Sequence, residues 1–177
     1  MTDWVKASNP TAPITTEAEA IAAARASAIA IFIGFLWAVY GVFYMMTDGA
    51  AVMQAAMAES MAANPDAAAM PGVAEFATQA AIWTAVAVVV FQAVLGLVQW
   101  FKPNVVIPIL FTIFVVYGLG SMALGLMASG ANPAVSVTPM WQIVVGVVIL
   151  IIQLILHIAG IRGGNALGKL RQENAVY

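Results

Sequence analysis

The stretch MWQIVVGVVILIIQLILHIAGI, Met140–Ile161, decides the fold. It holds no Asp, Glu, Lys or Arg, and as a helix rising about 1.5 Å per residue it spans a hydrocarbon core of about 30 Å, which takes about 20 residues. Three further stretches meet the same test: Ala26–Met46, Phe76–Phe101 and Val105–Ala128. None of them carries a formal charge either.

Composition agrees with the four stretches. Of the 177 residues, 63% are apolar and only 8% are charged, against roughly 25% charged in soluble domains. The reading is therefore an all-α integral membrane four-helix bundle. The first span is too long and too rich in Tyr and Met near its end (Tyr40, Tyr44, Met45, Met46) to be a cleaved signal peptide. With no cysteine, disulfides, thiolate metal sites and nucleophilic thiols are excluded. A net charge of −2 with scattered basic residues offers no field for nucleic acid.

The basic residues predict the orientation, because cytoplasmic loops are enriched in Lys and Arg. Lys6 and Arg25 precede the first span, Lys102 sits between the second and third, and Arg162, Lys169 and Arg171 follow the fourth. The other two loops have none, and the longer one carries Asp48, Glu59, Asp66 and Glu75. Both termini are expected in the cytoplasm, with Trp100 at the inner boundary and Trp83 and Trp141 at the outer one. The chain then divides into a cytoplasmic segment with the start of the first helix (1–25), a first span (26–46), an outer loop with a short surface helix (47–75), a second span (76–101), an inner turn (102–104), a third span (105–128), an outer loop (129–139), a fourth span (140–161) and a cytoplasmic tail (162–177).

Helix punctuation fits these limits. Thr16 with Glu19 reads as a capping box that starts the first helix near Glu17. Thr138-Pro139 reads as an N-cap followed by proline at the first helical position. Lys102-Pro103-Asn104 leaves room for a tight turn, so the second and third helices are expected to be antiparallel neighbours. Pro108 is harmless if the third helix starts at Ile107 and bends it if the start is Asn104. A shift of 77 residues lays Arg25 on Lys102 and Val39-Tyr40-Gly41 on Val116-Tyr117-Gly118. If this marks a duplicated hairpin, a pseudo-two-fold axis along the membrane normal should relate the two halves; the alternative is chance likeness between Ala- and Val-rich spans.

Polar residues within the spans are few and patterned, and each needs a partner. Gln142, Gly146, Gln153 and His157 share one face of the fourth helix, and Gln92, Gly96 and Gln99 one face of the second. Two readings are open: the stripes bond across a close interface, to each other or to another subunit, or Gln153 and His157 touch a transported substrate, a proton path or a cofactor. His157 is the single histidine; it could ligate a haem or a tetrapyrrole, with a second chain supplying any further histidine, or simply bond to Gln153 one turn away. The stripe Met53, Met57 and Met61 reads as the membrane-facing side of a surface helix or as a thioether site for Cu(I). No cofactor and no metal is expected overall.

Paired carboxylates, a Ser-His-Asp set and a phosphate loop are missing from the spans, so the chain is not read as an enzyme. Small residues recur at i, i+4 as Ala30, Gly34 and Ala38, as Ser121, Gly125 and Ser129, and as Gly160, Gly164 and Gly168. That is more close-packing surface than one bundle uses. The expectation is a non-catalytic subunit of a bacterial inner membrane that assembles with or stabilises a larger complex, its partners being lipid and other subunits. The alternative is a small channel or transporter formed by a homo-oligomer.

Overall fold

A computed structural model describes residues 3–47, 49–52, 54–55, 72–131 and 139–175. Five helices run through them: α1 (Trp4–Ser8), α2 (Glu17–Met46), α3 (Val73–Phe101), α4 (Val106–Ala131) and α5 (Met140–Asn174). All regular structure among the described residues is helical, and α2 to α5 are long and apolar enough to cross a membrane. Residues 49–52 and 54–55 are also helical, but the Met53, Met57 and Met61 stripe lies outside the described residues.

The helix starts follow local chemistry. The Thr16 hydroxyl accepts from the Glu19 amide at 3.2 Å, and Glu17 and Glu19 place negative charge in the first turn of α2, where the helix dipole favours it. The reciprocal half of the capping box is displaced by one residue. The Glu19 carboxylate accepts from the amide and hydroxyl of Thr15 at 2.8 and 2.9 Å and pairs with Lys6. At α4 the Asn104 side chain accepts from the Ile107 amide at 3.0 Å. Pro108 therefore falls in the first turn, where a missing N–H breaks no helical bond. At α5 the expectation needs correction: Pro139 precedes the helix instead of opening it. Its backbone is extended (φ −56°, ψ 139°), and its carbonyl accepts from the amides of Gln142 and Ile143. Thr138 lies outside the described residues.

The packing is organised around α2. It lies along α5 on one side and along α3 on the other; α4 in turn packs on α5. The backbones of α3 and α4 stay apart beyond the turn joining them, which corrects the expectation that a short turn makes them packed neighbours. A turn fixes only where two helices begin, whereas α3 and α5 each carry a face of small and polar residues, and α2 supplies the surface that both faces need.

The same asymmetry argues against the pseudo-two-fold axis that a duplicated hairpin would require. Such an axis would map the α2–α5 contact onto an equal α4–α3 contact, and the first is the most extensive in the molecule while the second is nearly absent. Burial follows the pattern: Ala20, Ala24, Ala26, Ser27, Ala28, Ala30 and Ile31 of α2 are sealed from the surface, and Ile31 meets Ile107, Phe111 and Leu95 in a small apolar core.

Candidate functional site

Glycines set the depth at which α5 settles on α2. A methyl group at Gly163 would run into the backbone of Ala20, Ala23 and Ala24, and one at Gly160 into the Cβ of Ser27. Gly34 makes the matching space on α2, because a side chain there would collide with the Gln153 amide. Contact this close brings side-chain donors of α5 onto backbone carbonyls of α2 that already accept a helical bond. A carbonyl has a second lone pair to receive them.

Three polar side chains therefore converge on α2 from two directions. Gln153, 6% exposed, donates from Nε2 to the Ala30 carbonyl at 2.9 Å. Gln99, fully buried, donates to the Ala24 carbonyl at 3.0 Å and to the Asn104 carbonyl at 3.1 Å. Its Oε1 accepts from the Asn104 amide at 3.4 Å, so one side chain ties α3, α2 and the turn into α4. His157, also fully buried, hydrogen-bonds through Nδ1 with the Ser27 hydroxyl at 2.8 Å and stacks on Phe111 with ring centroids 5.6 Å apart. Its Nε2 has no partner among the described residues.

The sequence-predicted set Gln92, Gln99, Gln142, Gln153 and His157 is thus only partly brought together. Gln99 of α3 and Gln142, Gln153 and His157 of α5 bond to α2 and not to each other, while Gln92 of α3 shares a cavity with Gln142 and Gln153. His157 bonds with Ser27 and not with Gln153, whose amide is taken by Ala30. Ser27, Gly163 and Tyr40 are the residues that reading the sequence missed. The run of small residues at Ala20, Ala24, Ser27 and Ala30, ahead of Gly34, was the available signal.

At the other end of the seam the helices part around a half-open cavity of about 330 Å³. Most of its wall belongs to α2 and α5, while α3 contributes Gln92 and α4 contributes Met122. Trp37 and Tyr40 stack with centroids 5.2 Å apart, and Tyr40 leans on Trp141 at 5.9 Å. This accounts for a tryptophan in the middle of a span. Gln142 donates from Nε2 to the Tyr40 hydroxyl at 3.2 Å, and Gly146 leaves room for the Met122 side chain and the Trp37 indole nitrogen. Gln92 Oε1 is buried and has no partner among the described residues.

The basic residues cluster at the opposite end, where the N-terminal segment straps the bundle. Arg162 donates to the carbonyls of Pro10 and Ala12, Arg171 pairs with Glu17 at 3.0 Å, and Arg25 donates to the Trp100 carbonyl at 3.1 Å. The Arg25 guanidinium also lies over the Trp100 ring, on which Trp4 stacks. Lys6 and the Thr15 donors hold the Glu19 carboxyl down at about 2, well below its ordinary value of 4.5. Among the described residues no cluster of His, Asp and Glu could hold a metal ion. No protein-family model, curated protein or solved structure matches this chain.

Proposed function

We propose that this chain is a non-catalytic subunit of a membrane assembly, with both termini in the cytoplasm of a bacterial inner membrane. The observation that carries the reading is an uncovered face of α4. Ile113, Tyr117, Gly120 and Leu124 fall on one side of that helix, and all four are exposed. Tyr117 is 75% exposed, and its hydroxyl has no partner among the described residues. It lies about 16 Å along the helix from Val106 at 1.5 Å per residue, near mid-membrane, where a phenol favours a hydrogen-bonding partner over lipid. A neighbouring subunit packed against the small Gly120 would supply one. The polar stripes of α3 and α5 are directed at α2, so they hold the subunit together and leave α4 to dock.

The orientation follows the basic end, which gathers Lys6, Arg25, Arg162 and Arg171 around the N-terminal strap. The test is isolation of the tagged protein from its native membrane in mild detergent, with a photoreactive residue at position 117. Crosslinking to a co-purifying membrane protein is expected; labelling by lipid alone refutes the reading. One observation favours a second reading, a small channel or transporter formed by a homo-oligomer: the cavity between the helices, whose mostly apolar wall carries Gln92, Gln142 and Gln153. A crosslink from position 117 to a second copy of this chain, with no other subunit present, would move the balance to it.

A further inference from the structure

We propose that the cavity between α2 and α5 binds a membrane-soluble, uncharged ring compound bearing hydroxyl or carbonyl oxygens, of the quinone and quinol class. The inference does not depend on the assembly role. It begins with charge: no Asp, Glu, Lys or Arg lines the cavity, so an ionic ligand would lose its hydration without compensation. Its walls nonetheless carry unspent hydrogen-bonding capacity. The Trp37 indole N–H has no acceptor among the described residues. Tyr40 receives a bond from Gln142, and its own O–H proton has no acceptor among them. Gln92 also belongs to the cavity wall, and its buried Oε1 has no donor among the described residues.

An unsatisfied buried carbonyl is destabilising and calls for a missing partner. A quinol hydroxyl supplies a donor to Gln92, and a ring carbonyl or the second hydroxyl oxygen accepts from Trp37 or Tyr40. The stacked Trp37–Tyr40 pair offers a flat aromatic wall for such a ring. The volume of about 330 Å³ stands in the range of small-molecule sites, about 300–1,000 Å³. The backbones of α3 and α4 stay apart beyond the turn joining them, and a ligand from the bilayer would enter between those helices. A hydrophobic tail on the ring would leave by the same gap.

The experiment is calorimetric titration of the protein in lipid nanodiscs with a short-chain ubiquinone and, separately, its quinol, with empty nanodiscs as the baseline. Saturable binding of one molecule per chain is expected, weakened at least tenfold by Gln92→Leu and by Trp37→Phe. Gln92→Leu removes an unpaired acceptor, so its thermal unfolding midpoint should equal or exceed that of the parent, which separates loss of a ligand contact from loss of fold. Heats identical to empty nanodiscs overturn the proposal and leave water as the occupant. Saturable binding untouched by both variants places the ligand elsewhere and overturns it equally.

Discussion

Replacing Gly163 and Gly168 by alanine, one at a time, makes the same chemical change twice on one helix and separates packing from propensity. Alanine in place of a mid-helix glycine stabilises by about 0.5–1 kcal/mol through the backbone entropy of the unfolded chain. At Gly168 nothing stands within reach of the new methyl, so Gly168→Ala should show that gain alone. At Gly163 the methyl meets the carbonyl carbon of Ala23 at 2.7 Å and the carbonyl oxygen of Ala20 at 2.8 Å. These are backbone atoms of a helix and cannot swing aside as a side-chain end would.

The α2–α5 pair must then separate, at an overpacking cost of about 1–3 kcal/mol, and the amide bond from Gln153 to Ala30 weakens as it does. The propensity gain is common to both variants and cancels between them, so Gly163→Ala should be less stable than Gly168→Ala by the overpacking cost of about 1–3 kcal/mol. Reversible unfolding in mixed micelles, followed by circular dichroism, measures the difference. Stabilities within about 0.5 kcal/mol of each other, the scatter of surface substitutions, would refute the close approach of α5 to α2.

Gln153→Met keeps length and flexibility but removes the bond to Ala30, and should cost about 0.6–2 kcal/mol, the worth of an interhelical bond in a membrane; the same micelle unfolding reads it. Ser27→Ala strips His157 of its one hydrogen-bond partner among the described residues and should cost about 1–3 kcal/mol for a buried group left unsatisfied. The double variant Ser27→Ala with His157→Phe should recover part of that loss, and a double variant weaker than Ser27→Ala alone counts against the pairing. The folded Glu19 pKa, about 2 against an ordinary 4.5, is depressed, so its contribution is present above pH 4.5 and is lost as pH falls toward 2. Limited proteolysis should accordingly release the N-terminal strap below about pH 4.5, and Lys6→Ala should weaken the strap at neutral pH and flatten that dependence.

Much of the architecture was legible along the chain because the relevant forces are local. A run such as Met140–Ile161 without a charge is a helix long enough to cross a membrane whatever surrounds it, since every backbone donor and acceptor must be satisfied within the segment. Thr16 marks a helix start because a capping side chain reaches only three residues ahead; the start at Asn104 was one of two that the sequence left open. Pattern also singled out Gln99, Gln153 and His157 as residues needing partners. It did not name the partners, because three of the four residues they bond to, Ala24, Ala30 and Asn104, offer backbone carbonyls, which carry no residue-type signal.

Which faces meet was left to the tertiary structure. The turn at Lys102-Pro103-Asn104 made α3 and α4 look like a packed pair, yet α2, with its dense row of alanines around Ser27, admits both α3 and α5 more closely than they could approach each other. Helix association between apolar segments gains little from hydrophobicity when the surroundings are equally apolar. It is decided by how near two backbones can come and by which polar groups then fall within bonding distance. The sequence by itself determined the number of long apolar helices, that each is long enough to cross a membrane, and the end at which the basic residues gather. Only the assembled bundle decided that α2 is its centre, that Gln153 and His157 close on that helix and not on each other, and that the helices part around a cavity that Gln92, Gln142 and Gln153 share.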